Sequence, residues 1–460
     1  MITHDGRALS HSAGVTGPAR TARFGACALS LAALTLAPLG AGCELSDPGP
    51  DPTAGDEALV TSDAPRAEPA PSEADLDLQV RENTAFGFDM YDVLRREDPD
   101  ENLFLSPYSI SVALAMTHAG AAGETAEEMA DTLGFVLPDD GHHEAFNALD
   151  RALERRPGEA GDGETLELAV ANALWSQDEY PVMEPFLDTL AEHHGSGLRL
   201  LDFITEPEAS REIINEWVSA RTNERIPSLL PAGSIDSLTR FVLTNAIYLE
   251  ADWLHQFEAE DTHQRSFTRL DGADIDVARM HQQAELPYAD GDGYQVAVMP
   301  YVGESLSMVF VVPDEGRFEE IEGEMGAEAL DEALAGTEDT LVELGLPQFE
   351  FSTDFDLLQP FRDLGMSAAF APQQADFSGI DGGADPDLHI TGVFHEAFVA
   401  VDEEGTEAAA ATGVVGGTTS APPEPEVTLH IDRPFLFFIV DEPTGTVLFL
   451  GRLLDPEADA

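Results

Sequence analysis

The chain has 460 residues and carries 88 acidic against 22 basic side chains, a formal net charge of −66, with every basic residue an Arg. A surface that neutralises phosphates must be basic, so nucleic acid is excluded as a partner. Hydrophobic residues make up 43% of the chain, enough for a sizeable core. The only cysteines, Cys27 and Cys43, lie so early that the rest of the chain has neither a disulfide nor cysteine chemistry.

Residues 1–42 read as a signal peptide. Arg20 and Arg23 precede an apolar run over 24–39 that suits a signal core and is too short for a comfortable membrane span. The run ends in Leu39-Gly40-Ala41-Gly42-Cys43, which resembles a bacterial lipoprotein processing site and makes Cys43 the candidate for lipidation; ordinary signal cleavage is the alternative. The protein is then expected to be exported: extracellular, periplasmic or anchored to the cell envelope by lipid. Residues 43–76, acidic and proline-rich, read as a tether, with the folded domain over 77–456.

A first helix is expected from about Val80 and a second over 109–118, opened by Pro107. Thr125 and Glu128 read as the capping box of a third. Residues 166–174 form an apolar, strand-like run, and helices are expected over 185–194 and 209–222. The unbroken apolar run over 241–248 predicts a strand covered on both faces. Further strands follow over 294–300, 305–312, 341–348 and 393–401, with a helix over 355–364. Strands and helices mix without regular βαβ alternation, which argues for an α+β fold.

Enzyme chemistry finds little support. His395-Glu396 and His143-Glu144 each begin like a zinc-protease helix but lack a second His four residues on. The doublets His142-His143 and His193-His194 lie among polar residues and read as surface rather than ligands. Nucleophile elbows and phosphate-binding glycine loops are missing, so neither a metal nor a cofactor is expected.

The chain is organised around residues 403–423, EEGTEAAAATGVVGGTTSAPP. From Gly405 to Ser420 nothing is larger than Val or Glu, so the segment cannot anchor itself in a core. Every second residue from Thr406 onward is small and uncharged, a face able to be buried, while Glu407 on the other face would need solvent. Pro422, Pro423 and Pro425 stop any continuation. On composition alone a flexible linker is the readier description.

The context changes that description. EEGTEAAAAT over 403–412 resembles the hinge of the inhibitory serpins, a family of protease inhibitors, and DRPFLFFIVDEPTGTVLFLGRLLDP over 432–456 resembles the family's C-terminal hairpin. NLFLSPYSISVALAM over 102–116, INEWVSARTNERIP over 214–227 and LTNAIYLEADW over 243–253 are similar to further family blocks, in order. The resemblance covers about residues 76–456. It implies three β-sheets, eight to nine helices and an exposed reactive loop.

It also implies residue roles. Glu403, Glu404, Gly405, Thr406, Ala408, Ala409, Ala410, Ala411 and Thr412 match the hinge. Counting from Gly405 puts the reactive bond between Thr419 and Ser420, although the stretch from there to Pro434 is a few residues longer than the family pattern. Ser106, Ser109, Asn245 and His395 match the polar shutter beneath the strands that part, and Trp253 matches the breach tryptophan where insertion starts. The partner implied is a serine protease held in a covalent complex by a monomeric inhibitor. The small, β-branched Thr419 suits the shallow pocket of elastase-like or subtilisin-like enzymes. A non-inhibitory serpin that binds a partner, and a lipoprotein with a structural or adhesive role, are the alternatives; the small hinge residues speak against the first.

Overall fold

The computed structural model describes residues 58–138, 141–161, 163–178, 180–407 and 424–458. The expected signal peptide and Cys43 lie outside these, as do the hinge residues Ala408, Ala409, Ala410, Ala411 and Thr412 and the expected reactive bond at Thr419 and Ser420.

The elements run in the order β1 (Ala58–Val60), α1 (Glu73–Glu97), β2 (Leu103–Leu105), α2 (Pro107–His118), α3 (Gly123–Leu133), α4 (Gly141–Leu153), β3 (Leu166–Gln177), α5 (Glu184–His194), β4 (Leu198–Leu201), α6 (Pro207–Arg221) and β5 (Phe241–Asp252). There follow β6 (His263–Thr268), β7 (Asp274–Asp290), β8 (Tyr294–Pro300), β9 (Leu306–Pro313), α7 (Phe318–Glu324), α8 (Ala327–Ala335), β10 (Glu338–Pro347), β11 (Phe349–Asp356), α9 (Leu358–Asp363) and α10 (Ser378–Asp381). The chain closes with β12 (Gly392–Val401), β13 (Gly405–Thr406), β14 (Val427–His430), β15 (Phe435–Asp441) and β16 (Thr446–Leu453).

The main sheet has seven strands in the order β1-β4-β3-β5-β13-β12-β11. The other strands form one nine-stranded network, β14-β10-β7-β8-β9-β15-β16-β2 with β6 on β7. The 17-residue β7 joins two parts of it: β6 and β10 pair along most of its length and β8 only with its last residues, Tyr288 to Asp290. Three sheets are thus present, two of them fused through β7. The main core lies between the main sheet and this network, closed by α1 and α2, and includes Phe104, Leu114, Phe310 and Phe437. A smaller one lies under α6, where Trp175 and Trp217 meet edge to face.

Several expectations are corrected. The boundary near residue 76 gives way to an ordered segment that begins at β1, which adds an antiparallel edge to β4. Beyond it the Ala67 amide donates to the Glu192 carbonyl at 2.8 Å, and Arg66 pairs with Asp150 and Glu154. Paired backbone and a shared guanidinium hold down residues whose composition alone would leave them loose. Helix α1 then starts at Glu73, capped by Ser72. Thr125 and Glu128 do not cap α3: Thr125 Oγ1 accepts from the Asp376 amide and Glu128 from those of Ser367 and Ala368, so both tie down a distant loop. Residues 355–356 belong to β11, because the backbone of Phe355 and Asp356 continues the ladder with His395 and Phe394.

Candidate functional site

The site is a seam in the main sheet. Strands β5 and β12 pair directly and in parallel from Val242/Gly392 to Ile247/Ala397. Above that level they separate by one strand width, and β13 lies between them, antiparallel to both: Thr406 pairs with Ala251 and Val401, and Gly405 with Asp252. The hinge therefore starts inside the sheet. Its direction is set by a tight reversal at residues 402–405, where Asp402 Oδ1 accepts from the amides of Glu404 and Gly405 at 2.8 and 3.1 Å. A side chain at Gly405 could not enter: a Cβ there would lie 2.0 Å from the Ala251 carbonyl oxygen.

Trp253 stands at the mouth of this split. Its amide donates to the Glu404 carbonyl at 2.8 Å and its Nε1–H to that of Asp402 at 3.1 Å. Its ring stacks on Tyr301 with centroids 4.6 Å apart, and the Tyr301 hydroxyl meets Thr406 Oγ1 at 2.6 Å. Burial pushes that phenol far above its ordinary pKa, so it stays neutral. Glu403 is held from outside by Thr262 Oγ1 at 2.6 Å and Gln348 Nε2 at 2.5 Å. Trp253 and the described hinge residues Glu403, Glu404, Gly405 and Thr406 are thus brought together, and with them Tyr301, Asp402 and Gln348, which the sequence did not single out.

The two faces of the hinge differ. Thr406, only 2% exposed, points into the main core. Glu407 points to the opposite face but does not reach water: it is 8% exposed, beneath Arg225, with which it forms an ion pair. Burial pushes its carboxyl up to about 7, against the pull of Arg225. Its amide already donates to the Ala400 carbonyl at 2.9 Å, so the pairing with β12 runs past Thr406.

Below the split lies the polar cluster. Asn172 on β3, Asn245 on β5 and His395 on β12 are register partners across three adjacent strands. Ser106 caps α2, its Oγ accepting from the Ser109 amide at 3.1 Å and donating to the Leu448 carbonyl at 2.6 Å. The Ser106 amide donates to His395 Nε2 at 3.2 Å, which leaves the proton on Nδ1 to donate to Asn245 Oδ1. Burial holds this imidazole at about 3, so the neutral tautomer persists. Asn245 Nδ2 donates to Ser109 Oγ at 2.5 Å, and Ser109 Oγ to Asn172 Oδ1 at 2.9 Å. The four expected shutter residues therefore form one network, with Asn172 as an unexpected fifth member. Asn172 in the apolar run over 166–174, like Asn245 in that over 241–248, is a polar group in an otherwise apolar strand that needs a partner once buried.

What such an arrangement can do is mechanical: it can hold two strands together and admit a third between them. A buried network pins β5 to β12 through groups costly to leave unpaired, while β13 already starts a strand in the gap above it. Inserting further replaces one parallel pairing with two antiparallel ones, the stronger ladder on each side.

Comparison with known proteins agrees with this geometry. A family model described as serpin (serine protease inhibitor) matches residues 81–456. An uncharacterised serpin-like protein of Thermococcus kodakarensis is 40% identical over 81% of this chain and 84% of its own. The leukocyte elastase inhibitor of Bos taurus is 37% identical over 81% of this chain and 98% of its own. Among solved structures, a thermophilic serpin, tengpin, in its native state superposes with a TM-score of 0.75 at 26% identity, covering 87% of this chain and 99% of its own.

Proposed function

The chain belongs to the serpin family, and from that membership we propose that it is an irreversible suicide inhibitor of serine proteases. One observation carries the proposal: Gly405 and Thr406 are already seated between the strands that must part, antiparallel to both, at the head of a run of small residues. A protease attacks the Thr419 carbonyl carbon, expels the Ser420 amine and becomes an acyl-enzyme. Cleavage frees the loop from its C-terminal attachment, and residues 407–419 follow Thr406 into the sheet. At about 3.3 Å per residue, the fifteen residues from Gly405 to Thr419 carry the tethered protease roughly 50 Å. Its active site is distorted before water can deacylate it. The protein acts as a monomer, since one loop and one sheet suffice.

Target class follows from Thr419, whose small β-branched side chain fits a shallow apolar pocket better than a deep acidic one. Elastase-like and subtilisin-like enzymes should therefore give a covalent complex that survives SDS, and the peptide released should begin at Ser420. Only cleaved chain, with no stable complex from any serine protease, would overturn the inhibitory reading. A different new N-terminus would move the reactive bond.

The proposal extends to location. An apolar run ending at Cys43 supports an exported chain anchored by lipid on that residue. Mass spectrometry of the mature protein is expected to find a lipidated Cys43 as the first residue; an unmodified N-terminus elsewhere would refute the anchor.

A further inference from the structure

Both histidine doublets depart from their expected surface placement. His142 and His143, 2% and 4% exposed, open α4, while half-buried His193 and His194 close α5. His118 closes α2. The three helix ends converge and bring five imidazoles together. Ring centroids are 4.1 Å apart for His142 and His143, 4.9 Å for His118 and His142, and 6.0 Å for His143 and His193. His143 Nδ1 lies 3.0 Å from His194 Nε2.

We infer that His118, His142 and His143, with His194 adjoining, form a binding site for a transition metal ion of the Zn2+ class. One ring nitrogen from each of His118, His142 and His143 lies within 4.8 Å of the others. Nitrogens at about 2.0 Å from a tetrahedral ion stand roughly 3.3 Å apart, so small ring rotations bring the three onto one ion. His194, whose Nε2 meets His143 Nδ1, adjoins this set.

Independent of that spacing, Nε2 of the buried His142 has no hydrogen-bond partner among the described residues, nor does Nδ1 of His193. Buried polar atoms normally find one, and a metal satisfies an imidazole nitrogen as a hydrogen bond does. Phe135 stacks flat on His142 at 4.3 Å and fixes its ring plane. A metal takes the unprotonated nitrogen of a neutral imidazole, of which each ring offers one. An all-imidazole donor set suits zinc, copper or nickel, whereas calcium and magnesium select oxygen. The HExxH pattern fails within α4 alone because the remaining ligands come from two other helices.

The test is a titration of the metal-free, full-length protein with Co2+ and then Zn2+. One equivalent of cobalt should bind with the visible absorption of a tetrahedral centre, and zinc should displace it. The His142→Asn/His143→Asn variant should lose both the absorption and the bound equivalent. A His281→Asn/His430→Asn variant, which removes imidazoles of the separate His281–Glu343–His430 cluster on β7, β10 and β14, should keep them. If the first double variant does not fold, His118→Asn at the half-buried end of α2 should still weaken binding at least tenfold. No stoichiometric metal in the parent protein, or a full equivalent in the His142/His143 variant or undiminished affinity in His118→Asn, would overturn the inference.

Discussion

Thr406→Arg is expected to convert the protein from an inhibitor into a substrate of its target protease. Thr406 is the first loop residue on the core face and is already seated in the sheet: it is 2% exposed, and its hydroxyl meets that of the buried Tyr301 at 2.6 Å. A guanidinium there loses that contact and must be desolvated, at a cost on the order of 3 kcal/mol or more, so it drives the hinge out of the split in the intact protein and has to be buried again for the loop to insert. The side chain can recover part of this by snorkelling to the mouth of the split. If only about 1.4 kcal/mol reaches the insertion barrier, insertion still slows roughly tenfold, while deacylation by the bound protease is unaffected. Part of the covalent band should give way to cleaved inhibitor, and the number of inhibitor molecules consumed per protease should rise, by up to about tenfold for a tenfold slower insertion and by more if the full cost reaches the barrier. An unchanged stoichiometry would mean that Thr406 is not on the inserting face.

Cutting the intact protein once near Thr419 should raise its melting temperature by about 20 °C. Strands β5 and β12 share a parallel ladder over only six residue pairs, and β13 occupies two residues of the split above it. A released loop that follows Thr406 pairs along both neighbours and adds roughly ten backbone hydrogen bonds net, each worth about 1 kcal/mol. A domain of this size gains about 2 °C per kcal/mol. Calorimetry of intact and nicked samples is the comparison, and coincident transitions would place the protein among the members that do not insert.

Much of the site was legible because it is built from local runs. The loss of bulk after Glu404 marked the segment, although composition alone favoured a linker and the family resemblance was needed to make it a hinge. Asn245 and His395 declared themselves as polar residues in strands otherwise apolar, which need partners and found each other. Tyr301 carried no such mark, because its role depends on packing against Trp253 from another part of the chain. The same limit hid the histidine cluster: residues 118, 142–143 and 193–194 sit on three helices, and polar neighbours in sequence said nothing of burial in space. Thr125 and Glu128 show the converse failure, a sound local motif overridden by distant backbone amides. Glu407 shows a third, since alternation put it on the outer face but could not foresee Arg225 covering it.

The C-terminal hairpin has a consequence for when the protein can exist at all. Strands β15 and β16 lie inside the nine-stranded network, between β9 and β2. Leu103 to Leu105 pair with Leu450 to Arg452, and Ser106, which caps α2, donates to the carbonyl of Leu448. A ribosome delivers these partners almost last. Until it does, β2 has no ladder, β9 has an open edge, and the serine that organises the cluster beneath the main sheet has no acceptor. Pairings this distant in sequence are slow to form even in a finished chain, and here they are impossible in an unfinished one. The network therefore cannot close until the end of synthesis, and loss of the last 15 residues would remove β16, leaving β2 without its ladder and Ser106 without its acceptor.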